Sequence, residues 1–348
     1  MADPTRNRTL MKRRGSAAQP PSTTMPKRAK ISVIGAGGNV GASVALWSAI
    51  KELGDVVAVD IKRTLDDGST MLPVDGRMLD LAQCGPMELF DANITATDDY
   101  SHIADSDVVV VSAGIPRKPG MSRDDLIGTN VKIVKSVGEN IASHAPNAVV
   151  IVVSNPLDAM VYTMWKATGF PTNQIIGQAG CLDVARFKTF IAMETGFSVE
   201  DINALLLGGH GDDMVPLPRY TNICGIPVTQ FISEEKLDEI VERAKKGGGE
   251  IVKKMGTSGY LAPASGTVQM VEAILKDKKR ILPCASYCDG EFGLNGLFVG
   301  VPTLLGAGGV EKVVEIDLNE AETALLKESA DHVAELVEVV KNLDPSLA

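Results

Sequence analysis

The stretch KISVIGAGGNVGASVALWSAIKELGDVVAVD, residues 30–60, decides the fold. KISVI is a short apolar run that ends in glycines, as a strand entering a tight turn does. ASVALWSAIKEL then spaces its apolar residues as a helix would. DVVAV is a second apolar run, closed by Asp60. Strand, glycine loop, helix, strand and acid together make a dinucleotide-binding unit. Gly35, Gly37, Gly38 and Gly41 let the chain turn sharply and let a pyrophosphate approach the backbone, while the next helix aims its free N–H groups at the phosphates. The loop residues Gly35, Ala36, Gly37, Gly38, Asn39, Val40 and Gly41 are therefore candidate cofactor contacts. Counted from Gly35 the loop is one residue longer than G-x-G-x-x-G; it fits G-x-x-G-x-x-G through Gly35, Gly38 and Gly41. Asp60 stands 19 residues after Gly41, where a carboxylate can accept hydrogen bonds from the adenosine ribose hydroxyls. That carboxylate would repel the 2′-phosphate of NADP. Lys62 and Arg63 offset it only in part, so NAD is the expected cofactor.

Outward from this unit the alternation continues. DVVVVSAG (107–114) and AVVIVVSNP (148–156) read as strands, with an amphipathic helix over about 123–144 between them. Uniformly apolar strands separated by helices indicate a parallel sheet covered on both faces. After about residue 170 the pattern loosens. SEEKLDEIVERAKKGGGEIVKKM reads as a helix with a glycine break, GLFVGVPTLLGAGGVEKVVEI as strands with turns, and about 319–343 as a long helix with Ala321, Leu325, Val333, Leu336, Val340 and Leu343 on its apolar face. The expected architecture is α/β: a Rossmann doubly wound parallel sheet followed by an α+β substrate domain. Residues 1–28 read as a disordered basic tail, 29–172 as the NAD-binding domain and 173–348 as the catalytic domain.

The whole chain of 348 residues carries a net charge of −10, yet residues 1–30 hold about +7 and the rest −17. So acidic a body suits neither nucleic acid nor an anionic membrane surface. The longest apolar runs, such as Val108–Val111, are strand-sized, far short of a membrane span. Five scattered cysteines argue against a disulfide framework and for a reducing, cytoplasmic compartment. The tail, rich in Arg and Ser, also allows organelle import.

In open parallel sheets, ligands lie beyond the carboxyl ends of the strands. Those ends bring up Ala113 and Gly114, and Val153, Ser154 and Asn155. After Gly114 comes IPRKPGMSRDD, where Arg117 and Arg123 on a Pro/Gly loop suggest an anion-binding lid as readily as solubility. Of four histidines, His144 and His332 read as surface residues, and His102, in the acidic stretch DDYSHIADSD, as one at a helix start. His210, between Gly209 and Gly211, has the access that proton transfer needs, although a plain loop histidine would look the same. In CLDVAR, Asp183 and Arg186 would share a helix face, as a surface ion pair also would.

GAGGNVG, VVAVD, SAGIPRKPGMSRDDL, VVSNPLDAM, LDVAR and GGHGDDMVP occur in this order. Together they resemble the lactate/malate dehydrogenase family, and within it the lactate-dehydrogenase-like malate dehydrogenases, over about residues 30–345. The resemblance implies reversible hydride transfer between (S)-malate and NAD, giving oxaloacetate and NADH; lactate or another 2-hydroxy acid is the alternative. It implies His210 as proton donor and acceptor, with Asp183 holding its tautomer. It implies Arg186 as the clamp on the substrate's C1 carboxylate, Arg123 as the group that polarises the carbonyl, and Arg117 as the partner of a second carboxylate. Asn155 falls on a substrate- and nicotinamide-binding position, Asn130 on a cofactor-contacting one, and Thr257 in TSGY on a loosely aligned substrate wall. No metal is implied. The expected partners are malate or oxaloacetate and a second copy of the chain, as a homodimer or homotetramer.

Rival readings are weaker. Tyr162 and Lys166 form the Y-x-x-x-K of short-chain dehydrogenases, but Ser43 breaks the glycine pattern that accompanies it and Val149 stands where the usual serine would. The metal-dependent NAD glycosidases need a histidine beside Cys181, and Cys284 and Cys288 also lack partner ligands. A non-catalytic NAD sensor would not need the arginines, His210 and Asp183 together.

Overall fold

A computed structural model of the chain describes residues 27–116 and 123–348. The first half runs β1 (Lys30–Ile34), α1 (Asn39–Ile50), β2 (Asp55–Val59), a small exposed ribbon of β3 (Arg63–Thr64) and β4 (Thr70–Met71), α2 (Pro73–Glu88), β5 (Ile94–Thr97), β6 (Val108–Val111), α3 (Arg123–His144), β7 (Val149–Val152), α4 (Leu157–Thr168) and β8 (Ile175–Gly177). Its strands pair in parallel in the order β5-β2-β1-β6-β7-β8. The chain order reverses between β1 and β6, which is where the doubly wound fold opens a crevice for a dinucleotide.

The uniformly apolar strands follow from burial on both faces. In β6, Val109 and Val111 pack with Ile127, Val131 and Met160 of α3 and α4, while Val108 and Val110 pack with Val44, Ala45 and Val268 on the opposite side. Two of the covering helices come from the far half of the chain: α8 (Leu261–Leu275) lies beside α1, and α9 (Glu320–Leu343) beside α4.

The second half holds α5 (Gly180–Thr195), β9 (Ile202–Asn203), β10 (Leu206–Gly208), β11 (Met214–Pro216), β12 (Asn222–Ile223), β13 (Ile226–Pro227), α6 (Glu234–Lys245), α7 (Gly247–Met255), β14 (Arg280–Asp289), β15 (Asn295–Gly306) and β16 (Gly309–Val313). Its antiparallel strands β14, β15, β10 and β11 extend the same sheet from β8, with β16 on β15. A separate core of Phe187, Ile191, Leu206, Leu237 and Ile240 joins α5 and α6 to these strands.

The structure differs from the sequence reading at three points. The glycine break falls at Lys246, between α6 and α7. On α9, Ala321, Leu325 and Leu343 are exposed, and Leu326, Ser329, Ala330 and Val337 join Val333, Leu336 and Val340 in the buried face. The helix covers two surfaces in turn, a small core with Leu207 and Val299 and then the main sheet, so its buried stripe drifts. Arg28, read as tail, pairs with Glu52 and Asp55 at 2.9 and 3.2 Å; tail residues 1–26 lie outside the described residues. Among those described, no helix is long and apolar enough to cross a membrane, and the five cysteines are unpaired.

Candidate active site

At the carboxyl end of β1 the glycine loop folds back on the sheet. Gly35 has φ +88°, and a Cβ there would fall 2.7 Å from the Ala113 main-chain nitrogen. A Cβ on Gly41 would lie 2.6 Å from the Gly35 carbonyl, and one on Gly37 2.6 Å from Asp60 Oδ2. Gly38 is less constrained, at 3.2 Å from the Gly35 carbonyl. The steric demand therefore sits at Gly35, Gly37 and Gly41 rather than at the evenly spaced glycines of the motif. Asp60 explains Gly37: its carboxylate accepts from the Gly37 and Ile61 N–H groups at 2.6 and 2.7 Å. Ala36 is buried, and Asn39 and Val40 open α1 at the rim. Lys62 is committed to Asp98 at 2.6 Å, which removes one cation that could have met a 2′-phosphate. A loop without room for a side chain at Gly35, Gly37 and Gly41, lying beside a helix N-terminus, and a carboxylate at the end of β2 fit NAD.

Hydroxyl and amide side chains fasten the strand ends around this loop. Ser112 donates to the Ile34 carbonyl at 3.1 Å, and Ser154 to the Ala113 carbonyl at 2.6 Å. Asn130 is 1 % exposed. Its Oδ1 accepts from the Ile115 N–H at 2.9 Å and its Nδ2 donates to the Asn155 carbonyl at 2.6 Å. Gly114, at φ +149°, leaves room for that amide. Asn130 thus holds the loops after β6 and β7 together. Val153 is nearly buried at the end of β7, and Asn155, the next residue but one, is exposed.

The second cluster forms where α5, α4 and the turn after β10 meet. His210 Nδ1 lies 2.9 Å from Asp183 Oδ2, and Arg186 Nη1 donates to Asp183 Oδ1 at 3.1 Å. The Asp183 side chain is 2 % exposed and those of Arg186 and His210 are 16 % and 21 %. This is a buried constellation, not a surface ion pair. An ionised carboxylate only accepts, so Nδ1 carries the proton and Nε2 is left to exchange one. Burial presses the imidazole pKa down; the charge and hydrogen bond of Asp183, then the charge of Asp158, more than reverse it, and His210 ends above the ordinary histidine value. Arg186 Nε is buried and has no partner. A Cβ on Gly247 would sit 3.1 Å from Arg186 Cδ, so the glycines opening α7 make room for this side chain.

Two residues that the sequence reading passed over secure the histidine. Asp158, in the first turn of α4, accepts the His210 main-chain N–H at 3.2 Å. Ser329 of α9 accepts the Gly209 N–H at 2.8 Å and donates to the Asp213 carbonyl at 2.6 Å. His332 is exposed, as the sequence reading has it, and pairs with Asp213 at 2.8 Å. Gly208 is tied to Ser329, since a Cβ there would fall 2.5 Å from the serine oxygen. Of the remaining expected site residues, Thr257 is exposed beyond the end of α7 and no hydrogen bond joins it to the cluster. Arg117 lies outside the described residues, as does the side chain of Arg123, which opens α3. Tyr162 and Lys166 bond to the Leu347 and Ala348 carbonyls and are structural.

Comparison with known proteins agrees with this geometry. The lactate/malate dehydrogenase NAD-binding domain matches residues 29–177, and that family's alpha/beta C-terminal domain matches residues 181–343. A malate dehydrogenase of Rhodopirellula baltica is 59 % identical over 318 residues, 91 % of this chain and 99 % of the relative. The structure of malate dehydrogenase from Salinibacter ruber superposes with a TM-score of 0.84 at 50 % identity, covering 91 % of this chain and 99 % of that one. A Plasmodium falciparum malate dehydrogenase in complex with NADH superposes at 0.82, with 35 % identity over 90 % of this chain and 99 % of that one. The chain belongs to the lactate/malate dehydrogenase family.

Proposed function

We propose that this chain is an NAD-dependent malate dehydrogenase that interconverts (S)-malate and oxaloacetate. The observation that carries the reading is the 2.9 Å bond between His210 Nδ1 and Asp183 Oδ2, with Arg186 on the other oxygen of the same carboxylate. Relatives named malate dehydrogenase, identical at up to 59 %, support the choice of substrate.

The Gly35–Gly41 loop would cradle the pyrophosphate and Asp60 the adenosine ribose, with Ala113, Gly114, Val153, Ser154 and Asn155 bordering the nicotinamide. Bound NAD supplies the two-electron redox chemistry. The protein's part is binding and proton transfer. Arg186, whose Nε has no protein partner, takes the C1 carboxylate. Arg117 meets the C4 carboxylate and Arg123 steadies the C2 oxygen, with Asn155 and Thr257 beside the substrate. During oxidation His210 Nε2 accepts the C2 hydroxyl proton, and Asp183 stabilises the resulting cation. During reduction the same nitrogen returns it. None of these steps calls for a metal. The five unpaired thiols support a cytoplasmic setting. Leu79, Met87 and Leu89, exposed on and beside α2, support assembly as a homodimer or homotetramer.

His210→Asn tests the reading. The reduction of oxaloacetate should fall by about 10²–10⁴, while NADH still binds. Retention of most of the activity would mean that another group moves the proton.

A further inference from the structure

We propose that Asp158 is a positioning residue for the acid–base histidine: its buried carboxylate holds the His210 main chain and places a second negative charge beside the imidazole. This rests on the reaction assigned above.

Asp158 is 4 % exposed. Oδ2 accepts the His210 N–H at 3.2 Å, and Oδ1 is buried without any hydrogen-bond partner. A neutral side chain could receive one N–H, and an orphaned carboxylate oxygen costs stability. The feature that an amide would not supply is charge. The groups acting on that charge come from every side: His210 from the turn after β10, Asp213 from the same turn, and Asp183 from α5. From α9, Val333 packs against Gly209 and His332 pairs with Asp213. Arg186 is turned toward Asp183 instead. The protonated imidazole is thus the cation whose charge acts on Asp158, with Asp183 on the ring nitrogen and Asp158 on the main-chain N–H of the same residue. Burial lifts the Asp158 carboxyl to about 6, against the opposing pull of His210. The charge of Asp158 and the proton of His210 therefore support each other. As Nε2 gives up its proton to the substrate oxygen, Asp158 loses its counter-ion.

Asp158→Asn keeps the shape and an oxygen for the His210 N–H, and removes the charge. Reduction of oxaloacetate needs protonated His210 and so fails as pH rises; oxidation of malate needs it neutral and so fails as pH falls. In Asp158→Asn both limbs should move to lower pH, with NADH binding, read by nucleotide fluorescence, within about twofold of wild type. Asp158→Ala removes the main-chain acceptor as well and should lower kcat by about 10- to 100-fold, the scale of a misplaced catalytic group. Should Asp158→Asn not fold, Asp158→Glu keeps the charge and should keep both limbs in place while kcat falls. Limbs that stay put in Asp158→Asn, or move in Asp158→Glu, would overturn the proposal. The oxaloacetate rate of the wild type, measured first, tests the reaction itself separately.

Discussion

The proposed roles of Arg186 and Arg117 separate by substrate. Every 2-oxo acid has the C1 carboxylate, whereas oxaloacetate adds a second one and pyruvate ends in a methyl. Arg186→Gln should therefore damage both reductions, and Arg117→Gln mainly that of oxaloacetate. Losing one partner of a desolvated charge pair costs about 2–5 kcal/mol, or roughly 30-fold to several thousand-fold in kcat/KM. Equal weakening of both substrates by Arg117→Gln would reduce Arg117 to a general surface charge. Asp60 belongs to the same scale. It is placed by two main-chain N–H groups over the glycine loop, so Asp60→Ser should narrow the preference for NADH over NADPH, read as a ratio of kcat/KM. A wild type that favours NADPH would contradict it. Of these residues, Asp60 is marked by its place at the end of a strand, whereas local spacing leaves His210 open to a plain loop histidine and Asp183 with Arg186 to a surface ion pair, and only the family resemblance gives them roles. Asp158 and Ser329 are not marked even so far, since they reach the turn that carries His210 across 52 and 120 positions of chain.

Among the elements, α9 has the least expected role. It is legible as a long amphipathic helix with Val333, Leu336 and Val340 on its buried face, but Ala321, Leu325 and Leu343 fall outside that face because the helix crosses two cores. Its Ser329 joins Gly209 N–H to the Asp213 carbonyl across the turn that carries His210. Ser329→Ala leaves that buried N–H unsatisfied, at a cost of about 1–3 kcal/mol in unfolding free energy. Because the loosened turn carries the proposed proton-transfer group, kcat should fall more than KM for oxaloacetate rises. Denaturant titration and steady-state rates check both parts. Unchanged kcat would show that α9 supports the sheet and not the site. The strands were easier to read, for runs such as VVVV in β6 are buried on both faces and leave no other reading.

Across the whole molecule a single sheet carries both halves: parallel strands deliver the glycine loop and Asp60, and the antiparallel extension delivers His210 from the end of β10. The parallel half was legible as alternation of strand and helix. The extension was not, because antiparallel pairing between β14, β15 and β10 depends on contacts that no local period records. The glycine loop with Asp60 and the partly buried His210–Asp183–Arg186 cluster are the two features on which the proposed reading, a dicarboxylic 2-oxo acid as substrate, rests. The most direct measurement is kcat/KM of the intact enzyme with NADH for oxaloacetate against pyruvate. Oxaloacetate should be favoured by at least about 30-fold, the lower bound for a charge pair that loses one partner. Equal reduction of pyruvate would contradict the account.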